Sequence, residues 1–542
     1  MYLRTISRRN KDGTVVRYLQ LAHNVRNERG NAVAEVVHSF GREDELDRDA
    51  LARLVRSMSR FLDPERALAT SVGSELTFTG SRPYGGAYLL DALWRRLGID
   101  RALAVAAAGR KVSAATERLV FTLVANRALD PCSKRHALEW AAQDAALPGV
   151  GELGAEPQVF YRAMDFLLDA DPAIQEQVFF AVANLLNLEV DVLLFDTTST
   201  YFETEDDDAL RTYGHSKDHR GDRPQIVVGL AVTKEGIPVR IWCWPGNASD
   251  KVLIRQVHDD LRAWSLHRVL WVGDSGFTSS HNRSYLQRGG GHVLFAEKLR
   301  QGSDNHAALA RAGRYQIVAD NLHVKEVTVG DGAAARRFVV CRNLYEADRD
   351  RQRRERALAR LRDELAAIDA KTGDAKLAAE GELLAHPTLR RYLSRAGAKL
   401  VIDNAKIKAE ERLDGKFLLS CTDPTVPAAD LATLYKGLLD VERCWRDLKQ
   451  VLDIRPVYHS KDQRIRAHVL LCFLALMLVR VAENATGLTW SRIRYEMQRM
   501  HLGEFTGAAG HLQQRTETTP TQREILHALK IKEPPVILHH GV

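Results

Sequence analysis

The sequence predicts a multidomain α/β protein whose centre is a mixed sheet flanked by helices, preceded by an N-terminal β unit and a helical domain. Three observations carry this. Within residues 189–296, short apolar runs of strand length and stretches of helical spacing follow one another in the order βββαβαβ. Residues 1–75 contain alternating β-branched stretches broken by turn signals, and residues 76–188 carry apolar side chains at helical spacing. The 542 residues, 45% of them apolar, are enough for several packed units.

Each element has a local reason. Residues 15–21 and 32–40 alternate like half-buried strands, with Asp12-Gly13 and Arg29-Gly30 as hairpin signals. In the helical domain, Leu89, Leu90, Leu93 and Leu97, and later Leu119, Leu123 and Val124, recur every three to four residues, punctuated by Pro131 and Pro148. Residues 190–195 read as a buried strand ending at Asp196. Residues 226–232 and 237–244 form a hairpin through Lys234-Glu235-Gly236, and a helix at 250–264 leads to a second buried strand ending at Asp274. A short helix at 279–287 and a strand at 292–295 complete this first part of the core.

Residues 297–427 read as an inserted module that does not extend the sheet. Its charged stretch 346–371 carries only the narrow stripe Leu358, Leu361, Leu365 and Ile368, the pattern of a helical arm on a surface. Residues 416–421 are strand-like, a long helix is expected over 428–452 within the second core part, 428–482, and residues 483–542 read as a helical tail.

Composition narrows the function. The longest apolar run, 469–479, is too short to cross a bilayer and reads as a buried helix, so no membrane span is expected. The N-terminus shows no export signal, which points to the cytoplasm. Six scattered cysteines form no CxxC pair or zinc-spaced cluster. The net charge is +7, and between Glu442 and Met500 eleven Lys and Arg face six acidic residues, a local surplus that suits a polyanionic partner. Gly289-Gly-Gly291 and Gly415-Lys416 lack the rest of a phosphate-binding loop, so no nucleotide cofactor is expected.

Three acidic residues stand out. Asp196 and Asp274 each follow a buried strand, and carboxylates at strand ends can converge on one crevice; the plainer reading of either is a turn cap. Glu442 is placed on the core-facing seam of the 428–452 helix, between Leu438 and Trp445, where a carboxylate is costly unless paired, for instance with Lys449, or bound to a metal. Tyr435, Glu442 and Lys449 are seven apart. Two Asp and a Glu make an all-oxygen ligand set suited to Mg²⁺ or Mn²⁺, and paired hard cations serve phosphoryl transfer.

The order of elements, the two Asp and the Glu beyond a long insertion resemble the DDE transposases of bacterial insertion sequences, which have an RNase H-like core. The group concerned carries the signature Tyr-x2-Arg-x3-Glu-x6-Lys. Here Tyr435-x2-Leu438-x3-Glu442-x6-Lys449 matches at three of four positions, with Leu438 in place of the Arg, for which Arg443 or Arg446 are candidate substitutes. Asp196-Thr-Thr and Asp274-Ser-Gly276-Phe277 resemble the other two motifs, and residues 454–459 and 464–468 are also similar to the group.

The resemblance implies an enzyme that binds terminal inverted repeats, cuts at the element's ends and joins the 3′ hydroxyls to target DNA. It implies that Asp196, Asp274 and Glu442 hold two Mg²⁺, with Mn²⁺ as a substitute, and that Tyr435 and Lys449 contact double-stranded DNA. It further implies a synaptic homodimer and a place at the bacterial nucleoid. Arg455, Arg464 and Arg466 are candidate backbone contacts. His215, His219 and His459 are more simply read as solvated, and Trp242 and Trp244 as core. Two rivals belong to other classes: a catalytically inactive DNA-binding derivative, against which all three filled acidic positions argue, and a haloacid-dehalogenase-like phosphatase. The latter needs Asp-x-Asp at the first motif, where this chain has Asp196-x-Thr198.

Overall fold

The computed structural model describes residues 2–10, 14–26, 32–62, 76–113, 115–151, 156–188, 190–266, 268–397, 399–507 and 510–541. The chain divides into two compact units. One comprises Met1–Ser81, Leu502–Thr516 and Pro535–Val542, and the other comprises Arg82–His501 and Glu517–Pro534.

In the first unit, β1 (Tyr2–Arg9), β2 (Val15–Arg26) and β3 (Ala32–Arg42) form an antiparallel sheet, followed by a helix Arg48–Leu62 and by β4 (Thr77–Pro83). The expected turns at Asp12-Gly13 and Arg29-Gly30 lie outside the described residues.

The second unit is built on a nine-stranded mixed sheet. Its strands are β5 (Val192–Tyr201), β6 (Gln225–Thr233), β7 (Pro238–Pro245), β8 (Leu270–Gly273), β9 (His292–Glu297), β10 (Gln316–Ala319), β11 (Leu322–Val329), β12 (Arg336–Arg342) and β15 (Lys416–Cys421). The order is β10-β11-β12-β15-β9-β8-β5-β6-β7, with β5, β8 and β9 parallel and the other pairs antiparallel. A short hairpin, β13 (Leu393–Ala396) with β14 (Lys399–Ile402), stands apart from it.

Two expectations are corrected here. The inserted module does extend the sheet: β15 pairs with β9 from Leu418↔Glu297 to Cys421↔Leu294, and β12, β11 and β10 follow outward. The apolar β9 has an open edge of unpaired backbone groups, which the equally apolar β15 covers. In addition, β5 runs five residues past Asp196. Its parallel partner β8 pairs only as far as Leu194↔Val272, while β6 keeps pairing as far as Tyr201↔Gln225. The run Thr197 to Thr200 is buried and mostly β-branched, which suits a pleated strand despite its hydroxyls.

Apart from the β13–β14 hairpin, the rest of the insertion is mainly helical. Asn343 caps the 26-residue helix Leu344–Asp369 by accepting from the backbone N–H groups of Tyr345 and Glu346. Leu358, Leu361 and Ile368 from that helix pack with Leu383, Leu389, Tyr392 and Leu393 in a small core of their own.

On one face of the sheet, Leu193, Phe195, Trp242, Trp244, Trp271 and Phe277 pack with the helix Asp250–Ala263. Trp242 and Trp244 are core residues, stacked at 6.0 Å, with their indole N–H groups donating to Asp260 and Gln256. The helix Asp462–Thr486 is long and apolar enough to cross a membrane, but its apolar stretch is buried against β7 and the helices Thr116–Leu129 and Gln158–Asp169. It is a core helix. Residues 483–542, expected to be a tail with short helical pieces, hold helices together with β16 (His501–Gly507), β17 (Gly510–Arg515) and β18 (Ile537–Gly541), in a sheet ordered β18-β17-β16-β4. The pairing partner β4 lies more than 400 residues away in sequence, so no local pattern signals it.

Candidate active site

Successive side chains on a strand face opposite ways. On β5, Leu193 and Phe195 enter the core beneath the sheet, and Leu194 turns the other way, where its methyl groups would stand 3.5 Å from a Cβ on Gly437. Asp196 shares the face of Leu194 and sits where the parallel partner has ended. Asp274 comes directly after β8 on extended backbone, and its carboxylate makes no capping hydrogen bond to the turn that follows. Asp196, Asp274 and Glu442 line one open pocket of about 340 Å³, together with Tyr435, Lys436, Leu438, Leu439 and Phe417.

Glu442 reaches that pocket differently from expectation. The 428–452 segment is two helices, Ala428–Lys436 and Leu438–Gln450, broken at Gly437, where a Cβ would stand 2.9 Å from the Leu434 carbonyl. The break resets the apolar register. Val441, Cys444, Trp445 and Leu448 are the buried stripe, and Glu442 lies beside it, exposed, rather than on the core seam. It is not paired with Lys449, whose ammonium lies 2.9 Å from Asp218.

Two residues overlooked in the sequence complete the acidic end. Lys217 donates to the carbonyl (2.6 Å) and hydroxyl (2.7 Å) of Thr197 and lies 3.6 Å from Asp196 and 3.8 Å from Asp250. The Thr197 hydroxyl in turn donates to Asp250 at 2.7 Å. Burial pushes the Asp196 carboxyl above its usual range; Lys217 opposes the shift, and Asp250 and Asp274 add to it. Tyr435 is half-buried against the same group. Burial raises its phenol, as do the charges of Asp274 and Glu442 and a hydrogen bond to Asp274. Its ring stacks on Phe417 of β15, 5.8 Å away, so the inserted strand helps to build the wall of the pocket.

Among the described residues, no group of three His, Cys, Asp or Glu side chains is close enough to hold a single ion. The donor set nevertheless fits a hard cation. It is all oxygen, it is partly buried, and its mutual repulsion is offset only in part by the Lys217 ammonium.

The expected DNA contacts divide. Lys449 and Arg455 converge on one carboxylate, Asp218, at 2.9 and 2.8 Å, and Arg455 also lies over the Tyr201 ring. Lys217 and Asp218 are therefore adjacent loop residues of opposite charge, the first turned to the acidic cluster and the second to the basic pair. Arg464 and Arg466 do not line the acidic pocket. Arg464 lies 4.3 Å over Tyr161 and 3.8 Å from Asp165, and Arg466 donates to the Cys243 carbonyl. Of the two candidates to replace the missing Arg, Arg443 is drawn to Glu483 at 3.4 Å and Arg446 is exposed, and neither lines the pocket; Lys436, which was not expected there, does. Part of the basic surplus is internal: Arg480 is buried against Glu483 at 2.7 Å, and Arg492 and Arg499 flank Glu496.

Lys217 and Asp218 belong to the loop 214–220 that the sequence singles out for its histidines; an acid–base dipeptide among loop histidines was the available signal. His215 lines a neighbouring cavity of about 390 Å³ with Lys217 and Asp250. His459 is half-buried and not freely solvated, and burial with nearby cations lowers it to about 4.

The family described as Transposase DDE domain matches residues 189–478, and the one described as IS1634 family transposase, N-terminal domain, matches residues 3–69. A curated relative, y4zB of Sinorhizobium fredii, a transposase by inference, is 30% identical over 106 residues. That match covers 19% of this chain and 30% of the relative's length. The piggyBac transposase synaptic complex with hairpin DNA aligns at 10% identity over 78% of this chain and 82% of that one, with a TM-score of 0.35, too low to carry an argument.

Proposed function

Since this chain belongs to the DDE transposases of bacterial insertion sequences, we propose that it binds the terminal inverted repeats of its element, cuts the DNA strands there and transfers the 3′ ends to target DNA. The observation that carries this reading is the meeting of Asp196, Asp274 and Glu442, drawn from two strands and a distant helix, at one open pocket. β5 to β9 with the Glu442 helix would be its RNase H-like core.

In this proposal Asp196, Asp274 and Glu442 hold two Mg²⁺ ions, or Mn²⁺ in their place. When bound, the ions supply charge that activates the attacking oxygen and neutralises the leaving one. The chain's own residues do the rest. Asp196 and Asp274 approach the phosphate from the sheet and Glu442 from the helix. Tyr435, held by Phe417 and Asp274, fixes the wall against which the scissile strand lies. Lys436 offers a cation at the pocket's edge in place of the Arg that Leu438 replaces. Lys449 and Arg455 take flanking phosphates once DNA competes with Asp218. Arg464 and Arg466, set apart from the pocket, would bind DNA only at a distance from the cut. The active species is a homodimer bridging two ends at the nucleoid.

The test is strand cleavage of DNA carrying the flanking inverted repeats in Mg²⁺, comparing the parent with Asp196→Ala, Asp274→Ala and Glu442→Ala. Cleavage lost in all three with end-binding retained supports the proposal. Cleavage surviving Glu442→Ala breaks the triad, and binding without cleavage in the parent favours an inactive DNA-binding derivative.

A further inference from the structure

We infer that the second unit contains a separate binding site for a phosphate-sized oxyanion, in a cavity of about 80 Å³ beside the segment leading into the helix Asp462–Thr486. Its walls carry Arg127, Lys134, Arg135, Tyr161, His459 and His468, with no acidic residue among its lining groups.

Arg127 and Lys134 are 3% and 5% exposed. Among the described residues neither has a carboxylate within ion-pair distance; the Asp453 carboxylate acts on Arg127 only from farther off, and a buried cation so weakly compensated is costly. Arg127 donates to the Cys132 carbonyl, to Asn126 Oδ1 (3.1 Å) and to the Asp453 carbonyl (3.2 Å), and its buried Nε has no partner. The Lys134 ammonium reaches His468 Nδ1 at 3.4 Å. His468 Nε2 lies 3.1 Å from the Ile454 carbonyl, so Nε2 carries the proton and Nδ1 is left to accept from Lys134. His468 is thereby held as a neutral support and not as the missing counter-charge. Burial and the Arg127 charge lower the Lys134 ammonium to about 7, a strain that an anion would relieve.

An unpartnered guanidinium Nε and an ammonium whose partner is a neutral imidazole favour an anion over a cation, and the paired guanidinium and ammonium suit a tetrahedral oxyanion. The cavity has room for one such group and not for a nucleotide. Its mouth is marked by the exposed Arg135 and Tyr458, and Arg464 lies over Tyr161 on its wall. A phosphodiester of bound DNA and free phosphate share this chemistry. The site itself does not depend on the transposase reading; only its filling by DNA does.

The test has two arms. Inorganic phosphate is titrated at constant ionic strength against chloride while Tm is read. The parent should show a saturable rise, abolished in Lys134→Met and several-fold weaker in Arg135→Ala, an exposed position that leaves the core intact. In the second arm DNA affinity is measured against salt. If a backbone phosphate fills the site, the slope of log K on log salt falls by about one in Lys134→Met. A phosphate-specific Tm rise with an unchanged slope identifies free phosphate as the ligand. A parent with no phosphate-specific rise and no change in slope overturns the site. If Lys134→Met does not fold, the parent titration and Arg135→Ala decide the matter.

Discussion

Lys217 stands between two carboxylates, where the proposed metal chemistry needs a cation, and its removal gives the sharpest test of that chemistry. Its ammonium is 3.6 Å from Asp196 and 3.8 Å from Asp250, and all three side chains are about a third exposed. Partly solvated pairs of this kind are worth roughly 0.2–1 kcal/mol each. A divalent ion settling on Asp196 must overcome both pairs, a penalty of about 0.4–2 kcal/mol, or roughly 2- to 30-fold in affinity. Lys217→Met keeps the length of the side chain and removes that competition. Its Mg²⁺ or Mn²⁺ affinity, measured by calorimetry on the DNA-free protein, should therefore rise by about tenfold, and the gain should disappear when Asp196→Asn is added. Unchanged or weaker metal binding in Lys217→Met would refute the argument and make Lys217 a strut that holds the carboxylates together.

Asp218→Asn releases Lys449 and Arg455 from their shared carboxylate; DNA affinity should increase, and the salt dependence should steepen by about one to two units, measured by fluorescence anisotropy across a salt series. Asp447 has a buried oxygen without a hydrogen-bond partner, and burial, with the charge of Glu483, lifts its carboxyl to about 6. A carboxyl raised above its unfolded value stabilises the fold below that value and loses its contribution as pH rises through about 6. Asp447→Asn should thus raise Tm at pH 8 and leave it unchanged near pH 4. Arg480→Ala strips the main partner from a Glu483 that is 6% exposed, and should cost about 3–5 kcal/mol in urea unfolding.

Much of the candidate site was legible in the chain. A buried apolar run interrupted by an Asp is readable because burial forbids an idle carboxylate, and this marked Asp196 and Asp274. Glu442 was found by its spacing from Tyr435 and Lys449, even though the accompanying argument for a core seam failed at Gly437. One residue of that segment reset the register of the apolar stripe. The core of β5 to β9, and the tryptophans beneath it, followed from periodicity for the same local reason.

What the sequence alone determined about this protein is the identity of its acidic residues and the strands and helices that carry them, since both follow from short-range patterns of polarity. Only the tertiary structure decided that β15 and its neighbours continue the sheet, that β4 pairs with a strand more than 400 residues away, and that Lys217, Asp250 and Phe417 join the candidate site. It also decided that Lys449 and Arg455 face Asp218 while Arg464 and Arg466 stand apart. The physical reason is common to all of these. An open strand edge or a surface charge accepts many partners, and the choice among them is made by the packing of distant segments, which no local pattern records.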